Sequence, residues 1–303
     1  MTEQRRQDPL PLGLEGDLPY SKGLLARALM ATGVTAVRAY ELALRVETEL
    51  NERRGPIDFD RLEELAQEVL GENEGVKAVR RLRRYRELQQ LDVPIVLLIG
   101  GGTGTGKSTV ATEIAYRLGI TRVTSTDFIR QTMRAFFSRE FMPSIHYSSF
   151  EAGEAAVAAD EETSDPVLLG FLDQTRNVLV GVRAAVDRAL QEGWSMVLEG
   201  VHLVPGMLPP IEGALAVHVV LEIEDEEEHS AHFFVRDAGT DGLRPVDRYL
   251  EALGDIRFIQ DYIVERARRA GVPVVENSSI ELTIATVMEL VLSTAERVEA
   301  VRG

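Results

Sequence analysis

A glycine-rich run at positions 101–108 ends in a lysine and a serine, a composition and spacing suited to binding phosphate. It fits the pattern G-x-x-x-x-G-K-[ST], in which backbone N–H groups and the start of the following helix surround phosphate oxygens. The residues expected to bind the nucleotide are Gly101, Gly102, Thr103, Gly104, Thr105, Gly106, Lys107, Ser108 and Thr109. We expect Lys107 to act as a catalytic residue on the β- and γ-phosphates of ATP, and Ser108 to hold Mg²⁺.

A pattern of this length also occurs by chance, so the neighbouring sequence must show whether the run can form a phosphate loop. Val93 to Ile99 is apolar and β-branched, as a buried strand would be. The residues after Lys107 are apolar at helical spacing, namely Val110, Ala111, Ile114, Ala115 and Leu118. Strand, loop and helix therefore follow one another in the order that a phosphate loop requires.

Two acidic residues follow predicted strands at the edge where open α/β sheets place their ligands. Asp127 comes after the strand at 122–125, and Glu199 ends the strand at 195–199. Asp127 is predicted to be catalytic, orienting the acceptor hydroxyl or taking its proton, although an aspartate here can also cap a helix. We expect Glu199 to hold Mg²⁺ together with Ser108.

Several arginines could supply positive charge to a phosphorylated acceptor. Arg130 and Arg134 stand one helical turn apart and would present two guanidinium groups to a phosphate or carboxylate, or else form surface ion pairs. Arg236, Arg244 and Arg248 lie in a segment rich in aspartate and glycine. This segment resembles a lid that closes over the transferring phosphate, with Arg236 catalytic and the other two binding substrate, although an ordinary flexible loop is the alternative.

Histidines provide weaker signals. His202, three residues after Glu199, is predicted to bind substrate or to make a structural hydrogen bond. His229 and His232 stand three apart after the acidic run 222–228, which is interpreted as a solvated connection between a strand and a helix. Two histidines without other clear ligands are a weak pattern for zinc.

From Leu91 onward, predicted strands and helices alternate. The strands are expected at Val93–Ile99, Arg122–Ser125, Ser195–Glu199, Ala216–Ile223 and Val272–Val275. The helices are expected at Lys107–Leu118, Phe128–Phe137, Leu168–Glu192, Leu250–Ala270 and Ile280–Val301, with a polar connector between Phe141 and Pro166. This alternation predicts an α/β fold, a P-loop NTPase-type parallel sheet with helices on both faces.

The first part of the chain has only helical spacing of apolar residues, so a small helical domain (1–90) is expected before the P-loop kinase domain (91–303). We expect this domain to serve regulation or homo-oligomerisation. The basic stretch at 76–91 either forms a patch for nucleic acid or, as we favour, a linking helix with an inward apolar face. The inward residues would be Val79, Leu82, Tyr85 and Leu88.

The composition limits which kinds of molecule the protein is expected to bind. A net charge of −16 argues against broad binding to nucleic acid but allows a small anionic substrate bound by local arginines. There is no cysteine, no stretch like the apolar core of a signal peptide and no run long enough to span a membrane. We therefore expect a cytoplasmic protein that has no membrane partner.

Several motifs together resemble the 2-phosphoglycerate kinase family, in its form with an N-terminal ATP-cone-like domain. The resemblance covers nearly the whole chain, and its most specific part is the string Glu-Gly-Val-His-Leu-Val-Pro-Gly at 199–206. The other matching features are the phosphate loop, the segments at 18–27, 125–127, 146–150 and 260–264, Arg130, and His229 with His232 and Arg236.

The resemblance implies transfer of the γ-phosphate of ATP to the 3-hydroxyl of 2-phosphoglycerate, giving 2,3-bisphosphoglycerate. The family also includes relatives that phosphorylate other acids, such as a mevalonate 3-phosphate kinase. Two further alternatives are a kinase of nucleotide sugars or nucleic-acid ends and a nucleotide-dependent regulatory switch. The former would favour exposed aromatic residues and a basic groove, neither of which the sequence indicates.

Overall fold

The computed structural model describes residues 20–53, 57–155, 165–238 and 246–302. The chain divides into two compact units. One comprises residues 1–92 with 116–119 and 288–303, and the other comprises 93–115 and 120–287. In the described ranges, no helix is long and apolar enough to cross a membrane.

The first unit is built on four helices. Their bounds are α1 Lys22–Ala31, α2 Ala36–Arg53, α3 Phe59–Leu70 and α4 Glu72–Gln90. The helical spacing of the apolar residues is thereby confirmed, and α4 is the expected linking helix. Its apolar face is buried as predicted, by Val79, Leu82, Tyr85 and Leu88. Burial of this face explains why so basic a helix packs in a folded unit.

The second unit is organised around a five-stranded sheet in which every pair of neighbours is parallel. The strands are β1 Ile95–Gly101, β2 Val123–Ser125, β3 Met196–Glu199, β4 Leu215–Glu222 and β5 Val274–Glu276. Their order across the sheet is β2-β3-β1-β4-β5. All five predicted strands are confirmed, with bounds that differ by one or two residues.

Both faces of this sheet are covered. On one face, Val96 and Leu98 of β1 pack with Val178 and Val182 in a buried cluster. The neighbouring β1 residues point to the other face and are also fully buried, as every residue of β1 is buried. This explains why the strand is a continuous apolar run rather than an alternating one. The predicted α/β fold is confirmed.

The helices that begin after β1 are α5 Lys107–Leu118, α6 Thr126–Phe136, α7 Pro166–Gln191, α8 Glu226–Ala238, α9 Val246–Glu251, α10 Leu253–Ala270 and α11 Ile280–Arg302. Two differ from expectation. Helix α8 was not predicted, and the single helix expected at 250–270 is α9 followed by α10. The chain leaves the helical region at Ala252 (φ −94°, ψ 9°), and its carbonyl oxygen then accepts a hydrogen bond from Ile256 in the first turn of α10.

The polar connector after α6 is more ordered than its composition suggests. It contains 3₁₀ turns at Pro143–His146 and Ala152–Ala155. Ile145, Phe150 and Ala152 are buried. The part of the connector at 156–164 lies outside the described residues. The described part, residues 143–155, is called the connector below.

Candidate active site

The phosphate loop joins β1 directly to α5. Gly101, Gly104 and Gly106 have φ angles of 136°, 91° and 78°, in a region that side-chain-bearing residues rarely adopt. Lys107 is the first residue of α5, so the loop ends at a helix N-terminus, where the helix dipole and free N–H groups favour anions. The sequence pattern and the backbone therefore agree on a site for phosphate.

A cavity of about 620 Å³ opens beside this loop. It brings together the predicted catalytic residues Lys107 and Asp127 and both predicted metal ligands, Ser108 and Glu199. The other lining residues are Thr103, Gly104, Gly106, Thr109, Ser125, Gly200, Val201, His232, Asn277, Ser278 and Ile280. A volume of this size is in the range of small-molecule sites.

Ser108 and Glu199 form the expected pair. The Ser108 Oγ donates a hydrogen bond to the Glu199 Oε1 at 2.9 Å. The pair forms because Glu199 lies beside Ile99 in the register of β3 with β1, just before the loop begins. A hydroxyl oxygen and a buried carboxylate oxygen are hard ligands of the kind that Mg²⁺ prefers, so these residues fit that ion.

The lysine of the loop lies against the loop itself. Its Nζ donates to the carbonyl oxygen of Gly102, and the Thr105 Oγ1 is 3.4 Å away. The Lys107 side chain is largely buried but still lines the cavity. The ammonium group is therefore held next to the position where the loop would bind phosphate.

Asp127 lies in the first turn of α6 and does not cap that helix. The cap is Ser125, whose Oγ accepts a hydrogen bond from the N–H of Phe128 at 3.0 Å. The Asp127 side chain is more than half exposed, and its Oδ1 is 3.5 Å from the Arg130 Nε. Its carboxylate thus stands at the cavity rather than against the backbone of its own helix.

Arg130 is directed at the connector. Its guanidinium donates hydrogen bonds to the carbonyl oxygens of Ile145, at 3.1 Å, and Tyr147, at 2.5 Å. The side chain is buried, and this burial lowers the pKa of Arg130, an effect that Asp127 opposes. The guanidinium therefore faces the connector and does not present the expected fork to substrate, because its Nη1 makes both bonds to backbone carbonyl oxygens and its Nη2 lies 3.5 Å from the Asp127 Oδ1.

Arg134 also differs from expectation. Its side chain is exposed, and its guanidinium donates to the Gln131 Oε1 at 3.2 Å. Neither Arg130 nor Arg134 is among the residues that line the cavity. Both arginines lie on one helix, as their spacing of four residues predicts. The Arg130 side chain points inward to the connector, whereas the Arg134 side chain remains at the surface.

His202 is fully buried, and the structure gives it the structural hydrogen bond rather than a substrate contact. Its Nε2 lies 2.9 Å from the Gln174 Oε1, and its Nδ1 lies 2.8 Å from the Thr126 Oγ1. Burial lowers the pKa of His202 to about 4, so the ring is neutral near pH 7. Both nitrogens are therefore used within the protein.

The direction of these bonds follows from Gln174. Its Nε2 donates to the carbonyl oxygens of Ser144 and Tyr147, at 2.5 and 3.1 Å, which turns its Oε1 towards His202. His202 then donates through Nε2 and accepts from the Thr126 hydroxyl through Nδ1. The chain of bonds joins α7, the connector and the first turn of α6, so it connects His202 to the site through Thr126, the neighbour of Asp127.

Gly200 allows Thr126 to approach the end of β3. It has a φ of 149°, and a Cβ built there would lie 1.8 Å from the Thr126 Oγ1. Any side chain at this position would separate the first turn of α6 from β3. Such a change would also separate Asp127 from Glu199.

The three arginines of the expected lid are only partly described. Arg248, in α9, pairs with both carboxylate oxygens of Glu151 and donates to the Ser148 Oγ at 3.0 Å. Arg236 belongs to α8, but its side chain lies outside the described residues, as does Arg244. In this structure Arg248 therefore binds the connector and not the cavity.

Asn277 and His232 also line the cavity, although neither is among the predicted site residues. Asn277, just after β5, donates through Nδ2 to the carbonyl oxygen of Thr105 at 3.0 Å. His232, in α8, lies 3.0 Å through Nδ1 from the carbonyl oxygen of Gly104. The residues around Asn277 carry no signal in the sequence, whereas His232 with His229 is a weak pattern for zinc and a part of the family resemblance, which assigns neither residue a role at the cavity.

A parallel sheet with a phosphate loop after its central strand, and a serine–carboxylate pair beside that loop, define a protein of the P-loop NTPase class. No family model matches the chain. A 2-phosphoglycerate kinase of Methanopyrus kandleri is 38% identical over 280 residues, covering 91% of this chain and 85% of that protein. One from Thermococcus kodakarensis is 38% identical, with 89% and 92% covered.

A third 2-phosphoglycerate kinase, from Methanocaldococcus jannaschii, is 37% identical over 289 residues, which cover 94% of this chain and 92% of that protein. The chain belongs to the 2-phosphoglycerate kinase family. The resemblance read from the sequence motifs is thus confirmed over both units of the chain.

Proposed function

We propose that this protein transfers the γ-phosphoryl group of ATP to the 3-hydroxyl of 2-phosphoglycerate, forming 2,3-bisphosphoglycerate and ADP. The observation that carries the proposal is the 2.9 Å bond between Ser108 and Glu199 at a cavity that Lys107 and Asp127 also line. Membership of the 2-phosphoglycerate kinase family supports this choice of acceptor.

ATP would bind with its phosphates in the loop at 101–109. The backbone N–H groups of the loop and the first turn of α5 would bind the phosphate oxygens. Lys107 would leave its loop contacts and donate to the β- and γ-phosphates, where negative charge accumulates during transfer.

Ser108 and Glu199 are proposed to hold Mg²⁺. When bound, the ion would neutralise charge on the β- and γ-phosphate oxygens. Glu199 would keep the hydroxyl of Ser108 directed at the ion, either by ligating the ion itself or by ordering a water ligand. Glu199 lies beside Ile99 at the end of β3, and the loop after β1 brings the Ser108 Oγ within 2.9 Å of its carboxylate.

Asp127 is proposed to orient the acceptor hydroxyl and to take its proton as the new P–O bond forms. The group has the exposure and the position for this task, because Ser125 takes the capping role at α6. Arg130 would keep the Asp127 carboxylate in place while bracing the connector. Thr126 and His202 would fix the first turn of the helix.

The acceptor carries a phosphate and a carboxylate, and a protein with a net charge of −16 must gather cations for it locally. We propose that Arg236, Arg244 and Arg248 supply part of that charge. Arg248, the one whose side chain is described, would exchange Glu151 for an anionic group of the acceptor. Arg134, exposed on α6, is proposed as a further donor to the acceptor.

The role of Glu199 predicts a change in metal requirement. Glu199→Gln keeps an oxygen that can accept from Ser108 but removes the negative charge. We expect the Mg²⁺ concentration for half-maximal rate to rise by about 10- to 100-fold. Titration of the initial rate with Mg²⁺ at saturating ATP measures this.

Glu212→Gln is the matched control, because Glu212 is an exposed carboxylate of the same unit that does not line the cavity. Its Mg²⁺ requirement should equal that of the unchanged protein. An unchanged requirement in Glu199→Gln would exclude Glu199 from the metal site.

The choice of acceptor is tested with a panel of hydroxy acids. ADP formation is measured with 2-phosphoglycerate, 3-phosphoglycerate, glycerate and mevalonate 3-phosphate at equal concentrations. We expect the highest kcat/KM for 2-phosphoglycerate. A better unphosphorylated acid, or ATP turnover that no acid stimulates, would contradict the acceptor assignment.

The helical residues 1–90 are proposed to regulate the enzyme or to form a homo-oligomer, while residues 91–303 carry the reaction. The loop, the acids and the cavity described above all come from the latter part. Because ATP and phosphorylated glycerates are cytoplasmic metabolites, we propose that the enzyme works in the cytoplasm.

A further inference from the structure

Helix α8 contacts the phosphate loop through two histidines. The His229 Nε2 is 2.7 Å from the carbonyl oxygen of Thr103, and the His232 Nδ1 is 3.0 Å from that of Gly104. A carbonyl oxygen can only accept a hydrogen bond, so each of these nitrogens must carry a proton. Two consecutive carbonyl groups of the loop are thus bound by imidazole N–H groups.

The contact between α8 and the loop is close. His229 is fully buried, and its ring stacks on Phe233 with the ring centres 5.5 Å apart. Gly104 has a φ of 91°, and a Cβ there would lie 2.7 Å from the Phe233 ring and 3.0 Å from the His229 Nε2. The loop therefore rests directly on this face of α8.

The same face of α8 is also held by a series of aromatic rings. Phe233 stacks on Tyr249 of α9 at 5.1 Å, and Tyr249 contacts Phe150 of the connector at 5.7 Å. Phe150 and Phe233 are buried in one apolar cluster. These contacts fix α8, and with it the two imidazoles, relative to the loop.

A phosphate loop functions only when its N–H groups, and not its carbonyl oxygens, face the phosphates, because carbonyl oxygens repel anions. We propose that His229 and His232 are positioning residues that hold the carbonyl groups of Thr103 and Gly104, so that the N–H groups of the loop are available to the triphosphate of ATP. This inference rests on the proposed function only in taking ATP as the nucleotide. The acceptor has no part in it.

The geometry predicts which substitutions preserve the function. The amide nitrogen of an asparagine can occupy the position of the His232 Nδ1, and the amide nitrogen of a glutamine can occupy the position of the His229 Nε2. His232→Asn and His229→Gln should therefore retain the hydrogen bonds, whereas His232→Ala and His229→Ala remove them. His146→Ala is the matched control, since its half-buried ring contacts the carbonyl oxygen of Phe137 in another part of the unit.

The experiment measures the dissociation constant of Mg·ATP by calorimetry on the full-length protein without acceptor, together with the thermal unfolding midpoint. Each alanine variant of the pair should bind ATP about tenfold more weakly, the effect of one lost hydrogen bond. His232→Asn, His229→Gln and His146→Ala should bind within about twofold of the unchanged protein.

Two results would overturn the inference: alanine variants that bind ATP as tightly as the unchanged protein, or folded His232→Asn and His229→Gln variants that bind as weakly as the alanine variants. If alanine at position 229 prevents folding, the comparison of His232→Asn with His232→Ala and of His229→Gln with the unchanged protein decides the matter. The variants could show the expected pattern of ATP binding while the protein fails to phosphorylate 2-phosphoglycerate. That result would support the positioning role of the two histidines and contradict only the acceptor assignment.

Discussion

Replacement of Lys107 by alanine is expected to lower kcat by about 10²–10³-fold, the usual effect of losing one donor to charge that develops in the transition state. The Nζ contacts described for this side chain, to Gly102 and Thr105, are within the loop itself. We therefore expect Lys107→Ala to unfold at nearly the same temperature as the unchanged protein. Single-turnover kinetics at saturating ATP and 2-phosphoglycerate measure the chemical step.

Lys77→Ala is the matched control for this variant. Lys77 is exposed on α4, far along the chain from the loop, and its removal should leave the rate unchanged. A folded Lys107→Ala protein with near-normal kcat would show that the loop at 101–108 is not the phosphate site.

Asp127→Asn is expected to lower kcat by on the order of 10²–10⁴-fold, the range for loss of a general base. Asparagine has the same shape, and Ser125 continues to cap α6, so the first turn of the helix should be preserved. ATP should bind as before, because its phosphates are proposed to contact the loop at 101–109 and not α6. The variant thus separates binding from the chemical step.

The control for Asp127→Asn is Asp187→Asn, which changes an exposed carboxylate on α7 in the same unit. Its kcat and its dissociation constant for ATP should match those of the unchanged protein. If Asp127→Asn instead weakens ATP binding at constant kcat, the carboxylate supports the nucleotide site and does not act on the acceptor.

The sheet and its loop could be predicted because their signals are local. A run such as Val93 to Ile99 is apolar throughout, and a strand buried on both faces requires that pattern. Helix α8 was missed because the acidic run at 222–228 hides its apolar face. Its start nevertheless has the sequence signals of a helix N-terminus, an aspartate at 225 followed by acidic residues in the first turn, where the helix dipole favours them. In the structure, Asp225 accepts a hydrogen bond from the N–H of Glu228 at 2.7 Å.

The contacts of the polar side chains could not be predicted in the same way. Arg130 lies on the predicted helix, but only the folded connector shows that its guanidinium binds the carbonyl groups of Ile145 and Tyr147. His202 follows Glu199 in sequence, yet its partners come from α6 and α7. Residues distant in the chain decide whether such a group faces substrate or the protein interior.

The most direct test follows the γ-phosphate of ATP. The purified full-length protein is incubated with Mg²⁺, 2-phosphoglycerate and ATP labelled at the γ position, and the labelled products are separated. We predict that the label appears in 2,3-bisphosphoglycerate, and that Lys107→Ala abolishes most of this transfer while Lys77→Ala does not. Label found only in inorganic phosphate, or in no product, would contradict the assignment of this cavity as the site of a 2-phosphoglycerate kinase.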